Sequence, residues 1–489
     1  MYKIFFTALL LIGTNAFTQI NSESSAIPSP PAFDAINQQE MRSNLYELAG
    51  DAFRGRRAGT LDELSAAIWV AQKAREAGLE PGGDNGTYFQ FFNLFRSRVT
   101  PESSFEIMGK KLDLWKNFWP TVVTNTHLSG KVVWLKNESD TLQSLQGKIV
   151  AMNIIPPRPL PASGMSLWAF RYTLLALRDA GMLMKRKGAA GLIVVADSTV
   201  QSLLPFISHA YETGQYQIEG MPSIVGQHAL QIVLVAPSVA NRLMDGNSHV
   251  KIDIMTEHFT YPSVNVIGIA KGNDSILNHQ YVLFSGHHDH DGVGNPVNGD
   301  SIWNGADDNA SVTVAMLAIA KAFHEKPAKR SALFVWHGAE ERGLLGSRWY
   351  AQHPTVRKNN IIAVLNGDMI GRNAPDSAAL LGTLKPHKNS TELVDLAMQA
   401  NNQYTHFKVD FSWDAPNHPE NWYFRSDHLP YAQAGIPALF FTTLLHADYH
   451  TPKDEPDRID YKKLYFMTKW IYATGWMVAE LNKAPAVDK

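Results

Sequence analysis

The sequence predicts an α/β fold: a mostly parallel central sheet flanked by helices, with a smaller, β-rich α/β module inserted into it. Three observations predict this. Apolar runs, "YVLFSG" (281–286), "SALFVW" (331–336), "IIAVLN" (361–366) and "IPALFFTT" (436–443), read as strands, and most of them are near-continuous in apolar residues, as buried parallel strands are. Helical patterns lie between them, among them "ASVTVAMLAIAKAF" (310–323), "GLLGSRWYAQH", "NSTELVDLAMQANNQY" and "YKKLYFMTKWIYATGWMVAEL". Between about 110 and 255 the texture changes to short, turn-bounded β-like runs: "KVVWL" (131–135), "GKIVAMNII" (147–155), "GLIVVAD" (191–197) and "IVLVA" (232–236), with a helical "LALRDAGMLMKRKGAA" running into the third of them.

The chain has 489 residues, enough for two or three domains. Its formal net charge is −2, so no basic bias points to nucleic acid or an anionic membrane surface. There is no cysteine, which excludes disulfides and thiolate metal sites; any metal must be held by histidine and carboxylate.

The chain begins "MYKIFFTALLLIGTNAFTQ". Lys3 supplies a basic start, Ile4 to Ile12 an apolar stretch too short to span a bilayer, and Ala16 and Thr18 small residues ahead of a cut before Gln19. Residues 1–18 are therefore expected to be a signal peptide, and the protein to be secreted or periplasmic. No other segment is apolar and long enough to span a membrane. Residues 19–39 are Ser/Pro-rich at their start and are expected to be a flexible lead-in. A helix is expected over 61–77, with Thr60 and Glu63 as a capping box and Gly78 as its stop.

The polar tails of the later strands carry the chemistry. "YVLFSG" runs into "HHDHD", "SALFVW" into "HGAEE", "IIAVLN" into "GDM", and "IPALFFTT" into "LLHADYHT". Ligands in open α/β sheets bind outside the carboxyl ends of the strands, so the fold gathers these residues at one edge. "WNGADDNAS" (303–311) stands just before the 310–323 helix, where Asp308 or Asn309 could equally be a simple helix cap. Imidazole and carboxylate without thiolate suit Zn, Mn or Co. Two histidines and three carboxylates suffice for two ions about 3.5–4 Å apart if one carboxylate bridges, and a carboxylate that is not a ligand can act as general base. The adjacent Glu340 and Glu341 suit that division of roles.

"GHHDHDG", "NGADDNAS", "GAEERGLLGS", "NGDMIGR" and "DYHTPKDEPD" resemble, in order, the signature segments of the co-catalytic di-zinc aminopeptidases, a family that includes glutamate carboxypeptidases and glutaminyl cyclases. "DAFRGRRAG" and "GLEPGGDNGTYFQ" resemble its N-terminal region, and "GKIV" and "KGAAGLIVV" resemble pieces of a protease-associated (PA) domain. The resemblance implies the zinc-dependent exopeptidase fold over 40–108 and 263–485, with a PA-like insert at 109–262. It implies two Zn2+, with Mn or Co as possible substitutes. His287 and Asp368 would hold one, Glu341 and His450 the other, and Asp308 would bridge. Asp289 would orient His287, and Glu340 would be the general base acting on a metal-bridging hydroxide. His288, His290 and Asp307 would not be ligands. Tyr449 would help to stabilise the tetrahedral intermediate, while Arg425 and Asp427 in "RSDHLPYAQAGIPAL" would contact the substrate or support the residues around the site. The expected substrate is a peptide cleaved at its N-terminus. Carboxypeptidase, dipeptidase, glutaminyl cyclase and non-catalytic binding are the alternatives. Two departures from the family pattern stand out: Val312 where a glycine is common, and Gly367 where a leucine is.

Overall fold

The computed structural model describes residues 29–136, 144–162, 164–221, 230–245 and 247–488. The expected signal peptide, 1–18, lies outside the described residues. Of the expected flexible lead-in, residues 32–36 instead pack onto the core: Ala32 and Ile36 are buried, and Ala32 donates its N–H to the Tyr472 hydroxyl. The cause is aromatic: Phe33 sits against Tyr404 and Tyr472.

Helix α1 is Gln38–Leu48 and α2 is Leu61–Glu76. Thr60 caps α2 by accepting the Glu63 N–H, as expected. Glu63 does not complete the reciprocal box; its carboxylate turns inward to the Gly59 N–H and the Ser263 hydroxyl. Strand β1 (Phe89–Val99) is next. After the second lobe, which contains α3 (Trp168–Arg186) and α4 (Ser198–Thr213), come β2 (Thr256–Ala270), β3 (Tyr281–His287), α5 (Ser311–Glu325), β4 (Ser331–His337), α6 (Leu345–Gln352), β5 (Ile361–Gly367), β6 (Ser377–Leu381), α7 (Thr391–Ala400), β7 (Ala438–Thr442) and α8 (Tyr461–Glu480).

The main sheet runs Lys408–Asp410, β6, β7, β5, β3, β4, β2, β1, Gln215–Ile218. Its centre is parallel: β3 pairs with β4 and β5, and β5 with β7. β2 and β1 extend one side and β6 the other by antiparallel pairing. The central strands are buried on both faces because alternate residues serve two cores. Phe284, Phe334 and Trp336 face α5 and α8, while Leu283, Leu333 and Val335 face Tyr350 of α6 and Tyr431. Each such buried side chain contributes about 1.5–3 kcal/mol, so burial outweighs local strand propensity here.

The two departures from the family pattern meet in space. A Cβ on Gly367 would lie 2.9 Å from Val312 Cγ1, and one on Gly286 2.6 Å from the same atom. The valine on α5 fills the space that a side chain at 367 would take.

The second sheet runs Lys110–Lys111, Ser104–Ile107, His249–Ile254, Thr126–Leu135, Ile149–Asn153, Gly191–Val195, Gln231–Val235, Phe118–Pro120. It has its own core on each face: Val150, Met152, Leu192 and Val194 lie with α3, and Ile149, Ala151, Ile193 and Val195 lie with Phe105 and Val250. The chain leaves the main sheet at Val99 and returns at Thr256, and these two residues are cross-strand partners. One strand of the second lobe, Gln215–Ile218, crosses over to pair with β1 of the main sheet.

Candidate active site at the strand ends

Each central strand delivers its last residues to one edge. β3 ends on His287, β4 is followed by Glu340 and Glu341, β5 by Asp368, and the segment after β7 carries Tyr449 and His450. Asp308 arrives from the turn before α5. It does not cap that helix, which starts without a side-chain cap. Its N–H is bound instead by the Asp454 carboxylate at 3.0 Å.

The carboxylate of Asp308 lies between two imidazoles. Oδ1 is 3.2 Å from His287 Nε2, and Oδ2 is 3.2 Å from His450 Nε2. His287 Nε2 is also 3.7 Å from Asp368 Oδ2 and 3.8 Å from Glu340 Oε2, while His450 Nε2 is 3.3 Å from Glu341 Oε2. Donor atoms about 2.0–2.1 Å from a tetrahedral ion sit roughly 3.3 Å apart, which is the spacing seen here. Among the described residues three clusters can hold a cation: His287, Glu340 and Asp368; His287, Asp308 and Glu341; and Asp291, Glu341 and His450.

The ring orientations agree with this. His287 Nδ1 is 3.1 Å from the Asp289 backbone oxygen, which can only accept. That contact fixes the ring and turns Nε2 to the carboxylate cluster, 3.2 Å from Asp308 Oδ1. His450 Nδ1 lies 3.1 Å from Asp291 Oδ2, which turns its Nε2 to Asp308 and Glu341 in the same way.

Electrostatics separate the carboxylates. Burial pushes the Glu340 carboxyl well above its ordinary value, and Glu341, Asp427 and Asp368 push it further against the opposing pull of His287. Burial also acts on Asp308, but hydrogen bonds from His287 and His450 outweigh it and hold this group well below the usual range. The two imidazoles are raised despite burial, because carboxylates surround them.

Several expected residues hold different positions from those foreseen. The Asp289 carboxylate does not orient His287: it is 3.7 Å from Nδ1 and instead accepts the Glu340 N–H at 3.0 Å and the Glu341 N–H at 3.4 Å. Both its oxygens are occupied by the loop, and its backbone carbonyl takes the imidazole. Of the two roles expected for Asp427, burial leaves the supporting one, behind Glu340 and Asp368. Asp427 is fully buried, raised to about 7 by burial, because its segment turns into the short helix His428–Gln433 and packs inside. Arg425 and Tyr449 do line the cavity, and Arg425 Nη2 donates to the Tyr449 hydroxyl at 2.8 Å. Asp307 faces away, accepting from the Gly371 N–H and lying 3.4 Å from His446. His288 is buried and lowered to about 3, and His290 Nδ1 sits 2.7 Å from Glu341.

Four supporting residues are not recognisable from the sequence. Asp291 holds His450. Ser426 donates to Asp368 at 2.8 Å and is itself bound by Asn366. Asp454 binds the N–H groups of Asp307 and Asp308. Arg56, fully buried, donates to the carbonyls of Leu48, His288, Asn304 and Gly305, tying together the two loops that carry His287 and Asp308. All four lie inside the quoted motifs, but only the fold reveals their partners.

The family described as Peptidase family M28 matches residues 265–474, the span that contains every strand-end residue named above. Among curated relatives, Aminopeptidase YwaD of Bacillus subtilis is 27% identical over 235 residues, covering 46% of this chain and 47% of that protein. Leucine aminopeptidase 2 of Arthroderma otae is 25% identical over 274 residues, 52% of each chain. The chain thus spans about half the length of the curated relatives it matches. Among solved structures, an aminopeptidase from Aneurinibacillus sp. strain AM-1 aligns with a TM-score of 0.59 and 19% identity, covering 94% of this chain and 96% of that one. That likeness is one of fold, and it runs across both sheets.

Proposed function

We propose that the chain is a secreted di-zinc exopeptidase, an aminopeptidase that removes the first residue of a peptide. One observation carries the reading: Asp308 turns one oxygen to His287 and the other to His450, as a carboxylate shared by two cations would. His287 and Asp368 are assigned to one zinc, Glu341 and His450 to the other. Two zinc ions in this nitrogen–oxygen set would polarise the scissile carbonyl and make the attacking water acidic near neutral pH. Names of relatives, including a Probable zinc metalloprotease of Pyrenophora teres f. teres, support the choice of metal.

The chain's own residues supply the rest. Glu340, buried and with raised proton affinity, takes the proton of the attacking water and returns it to the leaving amine. Asp289 fixes the backbone of Glu340 and Glu341, so base and ligand cannot exchange places. Tyr449 keeps its phenolic proton because burial raises it, and Arg425 fills its acceptor side. The O–H is therefore left to donate to the developing oxyanion. Residues 40–108 and 263–485 are read as one peptidase domain and 109–262 as a PA-like insert, a reading supported by the paired exit and return at Val99 and Thr256. Among the described residues no helix is long and apolar enough to cross a membrane.

The test is a panel of free and N-blocked peptides, with zinc counted per chain. An aminopeptidase cleaves only the free amines and carries two zinc ions. Cleavage of N-blocked substrates from their C-terminus would replace this reading with a carboxypeptidase.

A further inference from the structure

The second lobe reaches the active site. A cavity of about 490 Å³ opens over Glu341, Tyr449 and His450, a volume in the range of small-ligand pockets. One wall belongs to the second lobe: Leu167 and Phe170 at the start of α3, with Ala210 and Thr213 near the end of α4. Val297 and Trp303 face them from the peptidase side.

The α3 wall is held by a single carboxylate. Glu420 of the peptidase side is only 4% exposed. Its Oε1 accepts the Ser166 N–H at 2.6 Å, and its Oε2 accepts the Ser166 hydroxyl at 2.8 Å and Arg171 Nη2 at 2.7 Å, all from the second lobe. The same Oε2 takes Arg425 Nη1 at 3.2 Å, and the other arm of Arg425 reaches Tyr449, whose ring lies 4.0 Å from that of His450. Leu167 and Phe170 lie between the two residues that Glu420 holds, Ser166 and Arg171. A buried acid with this many charge-assisted donors is strongly held, and removing it leaves two guanidinium groups without their charged partner, with only the Pro419 carbonyl for Arg171 and the Tyr449 hydroxyl for Arg425.

We propose that Glu420 is a positioning residue that fastens the start of α3 over the active site, so that Leu167 and Phe170 of the second lobe form a specificity wall for the substrate's first side chain. The inference rests on the aminopeptidase reading for its substrate, but the fastening can be measured without it. Glu420 touches no reacting atom; it acts through Arg171 and Ser166 on the wall, and through Arg425 on Tyr449.

Two arms test it on the zinc-loaded full chain. In the first, amide hydrogen exchange over 164–175 is compared between wild type, Glu420→Ala and Arg171→Met, the last of which keeps the buried carboxylate and guards against misfolding. Loss of a hydrogen bond to a charged group should raise exchange there by about tenfold or more, with exchange in β3 and β4 unchanged. In the second, kcat and KM are measured on leucyl and alanyl nitroanilides. Phe170→Ala should lower the leucyl-to-alanyl ratio of kcat/KM by about tenfold, mainly through KM, whereas a merely structural defect would lower kcat for both substrates together. Unchanged exchange at 164–175 in both latch variants overturns the fastening. A leucyl-to-alanyl ratio that stays within about twofold in Phe170→Ala overturns the wall. A wild-type chain that cleaves neither substrate overturns the aminopeptidase reading and the wall with it, and the exchange arm still decides the latch.

Discussion

Asp197 and Asp308 stand at similar points in two different sheets. Each is an aspartate just ahead of a helix: Asp197 between the buried strand Gly191–Val195 and α4, Asp308 between the short, mostly unburied hairpin strand Asp300–Trp303 and α5. Asp197 caps its helix, accepting the Val200 N–H at 2.9 Å and the Tyr172 hydroxyl at 2.6 Å. Asp308 caps nothing, and both its oxygens face imidazole nitrogens. The difference teaches what makes a strand-end carboxylate functional. A carboxylate whose lone pairs are filled by local N–H and O–H groups is structural, whereas one whose backbone is held elsewhere, as Asp454 holds that of Asp308, leaves its oxygens to partners distant in the chain.

The comparison can be broken or sharpened by substitution. The largest effect is expected from Asp308→Ala, which removes the shared carboxylate: bound zinc should fall, and kcat/KM should drop by at least about 10³-fold, the rate equivalent of several kcal/mol of lost charge stabilisation. Asp307→Ala should retain its zinc, and zinc analysis of the two proteins decides which aspartate bridges. Next come the neighbours Glu340 and Glu341. Glu340→Gln should keep both metals while kcat falls by about 10²–10⁴-fold, and Glu341→Gln should lose one metal; the opposite pattern of zinc content would reverse their roles.

A third effect concerns stability. Burial raises Glu63 to about 8 from an ordinary 4.5. Between those values the folded chain holds a proton that the unfolded chain has released, so stability falls as pH rises from about 5 to 8. Glu63→Gln, which mimics the protonated form between the Gly59 N–H and Ser263, should remove that decline. Melting curves across this window check it, and parallel pH dependences for wild type and variant would rule it out. The smallest effect belongs to Asp197→Ala, which should cost about 1 kcal/mol as a lost helix cap, measured by denaturant unfolding, with zinc content and turnover as in wild type.

Much of this architecture is legible in the sequence alone. The strands expected at 281–286, 331–336 and 361–366 are β3, β4 and β5 to within one residue, because buried parallel strands must be continuously apolar. The convergence of their polar tails is a consequence of the sheet. The features that escape the sequence depend on partners distant in the chain. α4 contains an interior proline, Pro205, and reads poorly as a helix. The strand Gln215–Ile218 exists only because β1 is beside it. Asp291 looks like one more acid in "HHDHD" until the loop brings it to His450, 159 positions later in the chain by their numbers (450 − 291). Asp289 belongs to the right motif but serves the neighbouring loop, since no pattern of letters tells which of its acceptors, backbone or carboxylate, meets the imidazole.

The crossing strand Gln215–Ile218 also bears on any attempt to trim the chain. It pairs with β1 from Leu94 to Ser97 and occupies the outermost position of the main sheet. A chain cut back to the peptidase half would uncover a bare strand edge, with unpaired N–H and C=O groups flanked by Phe92 and Phe95, and such an edge is a template for self-association into larger β-structure. The second lobe is therefore also a guard against aggregation, and a soluble minimal catalytic unit would need a replacement strand or charged substitutions along β1.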